Sequence, residues 1–328
     1  MSYKDTDYLA ISTRIRVLEN SLLTRARMER MLDARSDAEA LKVLAECGYT
    51  LPEDAGETEL NAVLAQRREQ VFADLDGQSP NPALVDAFRL KYDYHNAKVL
   101  LKAAAKGEDA GRLLVDAGTV PAQALQNAIR QQEYGSLPEA LADAIQQAGE
   151  TLGSTQDPQR CDFLLDRAYW AQLSQLAKAS ESPMLAGYVA RMIDCANLKA
   201  AVRSLRLGKE ADFMRLVLVD GGGYSPESIL QAAYAGTLDT ACAQMGQAAQ
   251  LAPQAAKGNQ ITAFEKACDD YLTSYLQSAK LTPFGDSVII AYLAAREAEF
   301  TAARVIMAGR FAGLEPDIIR ERLRESYV

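Results

Sequence analysis

The polar pattern with the strongest claim on chemistry occurs twice. Asp93-x-x-Asn96-x-Lys98 returns as Asp194-x-x-Asn197-x-Lys199. A spacing of three places the acid and the amide on one helix face. A single active site has no use for copies, so the repetition favours another role. These groups are expected to satisfy backbone or inter-helix hydrogen bonds where helical bundles meet.

Other candidates are isolated. The only histidine is His95, so any Ser-His-Asp or Cys-His arrangement would rest on it alone. Tyr92 and Val99 at helical spacing put it on a packing stripe, which predicts a structural histidine. No ligand spacing marks the carboxylates that a metal site using His95 would need. Asp269-Asp270 resembles the acid pairs with which some all-helical enzymes bind magnesium, but Tyr271 to Tyr275 add no third acid within a turn. Asp220-Gly-Gly-Gly-Tyr-Ser lacks the Lys-Ser/Thr of a phosphate loop and has no βαβ setting, so a helix-to-helix turn is the stronger reading. No catalytic, cofactor-binding or metal-binding residue is assigned, and no cofactor is expected.

Composition narrows the class. The 328 residues carry a net charge of −9, with a pI of about 4.9, and this balance argues against nucleic acid as a partner. Five dispersed cysteines (Cys47, Cys161, Cys195, Cys242, Cys268) read as small buried apolar residues in a reducing cytosol. MSYKDTDYLAIST lacks the apolar core of a signal peptide, and no window approaches a membrane span. Few Gly and Pro, with abundant Ala, Leu, Arg, Glu and Gln, favour helix.

The elements that position these residues are therefore helices, and their punctuation recurs. Tyr8, Ile11, Ile15, Leu18 and Leu22 form one stripe of a first helix. Asn81-Pro82, Ser182-Pro183 and Thr282-Pro283 each pair an N-cap residue with a proline suited to the first helical position. The stretches they open end at Gly107, Gly208 and Gly309, predicting three helices of about 37 Å. Lys102, Arg203 and Arg304 stand 101 residues apart, as do the three glycines. The third copy keeps the caps but carries Ala295, Ala298 and Phe300 where the polar pattern stood. Gly118 to Pro121, Gly222 and Gly223 to Pro226, and Gly313 to Pro316 mark turns into further short helices. Capping boxes are read at Ser36-x-x-Glu39 and Ser136-x-x-Glu139. A mixed-charge helix spans Arg310 to Val328, open to solvent or to a partner.

The period is the size of a small domain, so the sequence predicts an all-α protein of three tandem helical bundles. The units are 1–113, 114–213 and 214–328. No Pro-rich or Gly/Ser-rich linker separates them, so they are expected to pack rigidly.

The opening ISTRIRVLENSLLTRARMERMLDARSDAEALKVL, the middle MIDCANLKAAVRSLRLGK and the ending from Pro283 to Val328 resemble the C subunit of archaeal and bacterial V/A-type ATPases, the counterpart of the d subunit of the eukaryotic vacuolar enzyme. The resemblance runs end to end and lies in the order of segments, not in a chemical motif. It departs at Ala302, where the family pattern has a polar residue, often Asn. The resemblance implies a pseudo-threefold funnel on the cytoplasmic side of the membrane rotor (proteolipid) ring. The central shaft, subunits D and F, would insert into it. It further implies a non-catalytic, monomeric chain within a hetero-oligomer, coupling ATP turnover to proton or sodium transport. A helical adaptor unrelated to rotary ATPases is the alternative.

Overall fold

The structure, a computed structural model, describes residues 3–328. It contains sixteen α-helices and, among the described residues, no strand. Four helices come first: α1 (Leu9–Glu19), α2 (Arg25–Leu32), α3 (Asp37–Glu46) and α4 (Glu57–Leu75). The first long helix, α5 (Ala83–Lys106), is followed by α6 (Ala122–Gln131), α7 (Glu139–Thr155) and α8 (Pro158–Ala179). The second, α9 (Pro183–Arg206), leads into α10 (Ala211–Val217), α11 (Pro226–Ala235), α12 (Leu238–Ala241), α13 (Gln247–Ala256) and α14 (Ile261–Leu276). The third, α15 (Asp286–Phe311), is followed by α16 (Pro316–Arg322).

Burial follows the apolar spacing. In α1, Ile11 and Ile15 are buried behind Tyr8, while Leu22 reaches the same core from the turn after the helix. In α6, Leu125, Ala128 and Ile129 face inward, and in α11 Ile229, Leu230 and Ala233 do. All five cysteines are buried and free. α5 packs on α6, α7 and α8, and α9 packs on α10, α11, α13 and α14. α15 packs on α1 to α4 and on both other long helices. The last and first parts of the sequence are thus joined side by side.

The punctuation holds at the first two long helices and fails at the third. Ser182 caps α9 by accepting from the Leu185 amide, with Pro183 in the first turn. Gly107 and Gly208 follow α5 and α9 with φ of +69° and +60°, the left-handed region that favours glycine. Thr282-Pro283 does not open α15. That helix begins after Gly285, whose φ of +138° turns the chain and whose amide donates to Ser12. Gly309 does not end it either, because the helix continues to Phe311. There glycine admits Ile319 of α16, which would stand 2.7 Å from an added Cβ. Gly313, at φ +67°, takes over the left-handed position. The box at Ser136 also fails, because the extended Pro138 precedes the first residue of α7. Ser36 does cap α3 through the Glu39 amide, but the Glu39 carboxylate reaches the Arg35 amide.

Candidate functional site

The three long helices meet at their N-terminal ends. Asn81 Nδ2 donates to the Ser180 carbonyl (2.8 Å), linking the starts of α5 and α9. Ser182 Oγ donates to the Asp286 carboxylate, linking α9 to α15. Tyr8 fills the gap beside Asn81 and Asp286. Burial first, and then the Asp286 charge, push its phenol up to about 12. Asp286 lies in the first turn of α15, where a carboxylate opposes the positive ends of helix dipoles.

Further along, Phe88 stacks on Tyr188 with ring centroids 5.9 Å apart. Each is the sixth residue of its helix, so α5 and α9 run in the same direction. Glu297 of α15 accepts from Tyr92 Oη (2.6 Å) and from Lys91 Nζ (2.7 Å). Burial, reinforced by the Glu297 charge, raises the Tyr92 phenol above its ordinary range. Phe88, Lys91, Tyr169, Tyr188, Met192 and Glu297 surround a cavity of about 60 Å³ at this junction.

Beyond the junction, α5 and α9 each grip the chain that follows. The Asp93 carboxylate accepts from the Thr119 amide (3.1 Å), the Thr119 hydroxyl (2.6 Å) and the Val120 amide (3.0 Å). Asn96 pairs with both backbone groups of Val115 (2.8 and 2.9 Å). Asn197 pairs likewise with Val219 (2.8 and 2.9 Å), and Asp194 accepts from the Tyr224 amide (3.1 Å). A Cβ on Gly118 or Gly222 would overlap the Asp93 or Asp194 carboxylate. Glycine there serves close approach, so the Asp220 loop is a turn seated on a helix. Burial raises the pKa of both carboxylates, opposed by the hydrogen bonds they accept.

The lysines reach across to α8 and α14. Lys98 pairs with Asp166 of α8, and Lys199 with Asp269 of α14 (2.7 Å). One turn on, Lys102 pairs with Asp162 (2.9 Å) and Arg203 with Glu265 (3.3 Å). The third copy inverts this arrangement. Phe300 of α15 lies under the Arg68 guanidinium of α4, at 5.0 Å, so the cation sits on the partner helix. Arg304 is exposed and has no carboxylate partner among the described residues. The polar work has moved one residue along, to Arg296 and Glu299. Both are buried and paired at 2.8 Å. Glu299 also accepts from the Leu23 amide (2.7 Å) and the Tyr49 hydroxyl, and Arg296 donates to Ser21 (2.9 Å). Burial works most strongly against the Arg296 charge, but the Glu299 carboxylate together with the Tyr292 and Tyr49 phenols outweighs it and holds the guanidinium pKa above its ordinary value.

The isolated candidates resolve into structure. His95 does not join a packing stripe: it is exposed, with Nε2 3.2 Å from the Leu113 carbonyl. Asp93 and Asn96 take the inward face instead. Asp269 and Asp270 are held by Arg324 Nε (2.8 Å) and by the Glu325 amide (2.7 Å). Among the described residues no group of three or more His, Cys, Asp or Glu side chains is placed to hold a metal ion. The mixed-charge end is largely an intramolecular clamp. Arg310 donates to Asp37 and to the Met31, Leu32 and Ala34 carbonyls, capping the end of α2. Arg320 pairs with Glu29 (2.9 Å) and Asp33 (3.3 Å).

Comparison with known proteins turns this frame into a family. The sequence model of the ATP synthase (C/AC39) subunit matches residues 11–322. The chain belongs to that family. It is 26% identical to the C subunit of the V-type sodium ATPase of Enterococcus hirae, over 98% of this chain and 99% of the relative. It is 24% identical to the C subunit of the V-type ATP synthase of Thermus thermophilus, over 97% and 98%. The C subunit of the A-type ATP synthase of Thermococcus kodakarensis is 24% identical, over 98% and 92%. In this C/AC39 chain the three long helices are bound together by the contacts described above. Asn81 and Ser182 were legible as caps. Their second role, and the parts of Tyr8, Asp286, Glu297 and the Arg296–Glu299 pair, had no signal in spacing. No helix of the described residues is long and apolar enough to cross a membrane.

Proposed function

We propose that the chain is a non-catalytic central-stalk connector of a V/A-type rotary ATPase. In this reading it is a rigid socket between the rotating shaft of subunits D and F and the proteolipid rotor ring. It sits peripherally on the cytoplasmic face and couples ATP turnover to proton or sodium transport. The units 1–113, 114–213 and 214–328 each contribute one long helix to a pseudo-threefold funnel.

One observation carries the reading: most exposed large apolar side chains lie in segments just before or after the long helices. Tyr3 and Leu9 flank Tyr8, and Leu281 precedes the start of α15. Leu113, Leu207 and Leu216 follow α5 and α9, and Leu314 and Ile318 follow α15, whereas Val17 and Tyr234 lie elsewhere. Single exposed apolar residues need no explanation, but their recurrence before and after the long helices suits a body held between two partners. Stiffness supports the same role. The units defined above grip one another in a cycle, α5 by α8, α9 by α14 and α15 by α4, and packed interiors compress little.

The test is binding to each partner separately. The chain is expected to be retained by an immobilised D–F shaft and by the detergent-solubilised proteolipid ring. A Leu216→Glu, Leu314→Glu double variant should lose one partner and keep the other. Retention by neither partner would favour an unrelated helical adaptor. Equal loss of both from one end would contradict a two-faced connector.

A further inference from the structure

Each of the first two long helices holds the following loop with a buried Asp and Asn, and α15 has Ala295 and Ala298 at those positions. The segment after α16, residues 323–328, packs into the space these alanines leave. It has no regular secondary structure, yet Leu323 and Tyr327 are buried to 1% and 3% exposure. Leu22, Leu23, Met28, Ala295, Ala298 and Ala302 line the groove beside it.

The segment is fastened from the far side, by α14 and not by α15. Arg324 Nε donates to Asp269 Oδ2, while Asp269 Oδ1 takes Lys199 Nζ of α9 (2.7 Å). The adjacent Asp270 accepts from the Glu325 amide. The matching positions on α8 are Asp166, which takes Lys98, and Arg167, whose guanidinium reaches the Arg215 and Leu216 carbonyls. The doubled acid is therefore specific to the helix that holds this segment. At its other end the Lys280 ammonium lies 5.2 Å from the centre of the Tyr327 ring. The Tyr327 hydroxyl is buried against the Arg16 guanidinium. The neighbouring Arg16 guanidinium commits its terminal nitrogens to Glu19 and to the Ala279 and Thr282 carbonyls.

We infer that residues 323–328 are a releasable latch, pinned by Asp269 and Asp270, that joins α14 to the seam between α15 and α1–α2. The other two grips are loops anchored by buried carboxylates and amides. This one rests on partly exposed ion pairs and an irregular strand, the kind of contact that opens below the global unfolding free energy. The inference is independent of the coupling role.

Hydrogen exchange of the full chain tests it. In Arg324→Ala, amides of 323–328 and of the turn 20–24 should exchange about tenfold faster, with 115–120 and 219–224 unchanged. Moderate salt on the unaltered chain should give the same selective pattern, because exposed ion pairs are screened. Acceleration spread over the whole chain in Arg324→Ala, or no acceleration at the segment in either arm, would overturn the latch.

Discussion

The first two long helices and the third solve one problem in opposite ways. α5 and α9 bind the next loop with Asp and Asn, and α8 or α14 with a lysine. α15 meets the first helices of the chain, where Arg68 of α4 faces Phe300 in place of the acid that faces a lysine in the other two copies. It keeps the geometry with an Arg–Glu pair one residue later and with Phe300 under an arginine. Copies that lie between similar neighbours retain their chemistry, whereas the copy that closes the fold onto α1–α4 retains only its shape.

Breaking the buried pair should produce the largest effect. Glu299→Ala leaves Arg296 charged and uncompensated in the core, and also frees the Leu23 amide and Tyr49. A loss of about 3–5 kcal/mol is expected in urea unfolding. Replacing both residues with apolar ones of similar size should be milder, since removing a whole buried pair is often close to neutral.

Next come the grips of the first two copies. Asn197→Ala strands both backbone groups of Val219 and should destabilise by about 2 kcal/mol, with Asn96→Ala alike. Gly222→Ala should fall in the same range, about 1–3 kcal/mol, because its Cβ would meet the Asp194 carboxylate. Installing the lost residue in the third copy, Ala298→Asn, should not stabilise. Its carbonyl and amide would meet the groove of Leu22, Leu23 and Met28 instead of a waiting backbone. A gain in urea midpoint from Ala298→Asn would dissolve the contrast.

The two regions should also differ in the sign of their acid response. Burial raises the folded pKa of Asp93 and Asp194 above the unfolded value, so folding takes up protons there. Their contribution therefore becomes more favourable as pH falls through the folded pKa. At the closing seam the hydrogen bond from Arg320 lowers the Glu29 pKa. That stabilisation is present above the ordinary carboxylate value, about 4.3, and is lost as pH falls through the lower folded value. Glu29→Gln should flatten the acid limb of the stability profile, and Asp194→Asn should steepen it. The smallest effect is expected at Arg304→Ala, within about 0.5 kcal/mol, because no carboxylate of the described residues waits for it.

Much of the frame was legible in the sequence, and the reason is local. The starts and ends of α5 and α9, and the inward Asp and Asn, follow from caps, glycines and helical spacing. Thr282-Pro283 and Gly309 misled because tertiary contacts overrode local signals: Ser12 holds Gly285, and Ile319 needs the space above Gly309. The hub of Tyr8, Asn81, Ser182 and Asp286 joins residues up to 278 positions apart, and no periodicity encodes such a meeting. Residue types also hid their partners. Asp269-Asp270 reads in sequence as a solvated helix face, yet Lys199, Arg324 and the Glu325 amide hold it.

The central claim is that this rigid chain transmits rotation between two partners. The direct test is the ratio of ions moved to ATP hydrolysed, in vesicles carrying the complex reconstituted with and without the chain. With it, ion uptake and hydrolysis should rise and fall together. Without it, hydrolysis should continue while uptake falls to the leak. Uptake that stays proportional to hydrolysis in the chain's absence would contradict the account.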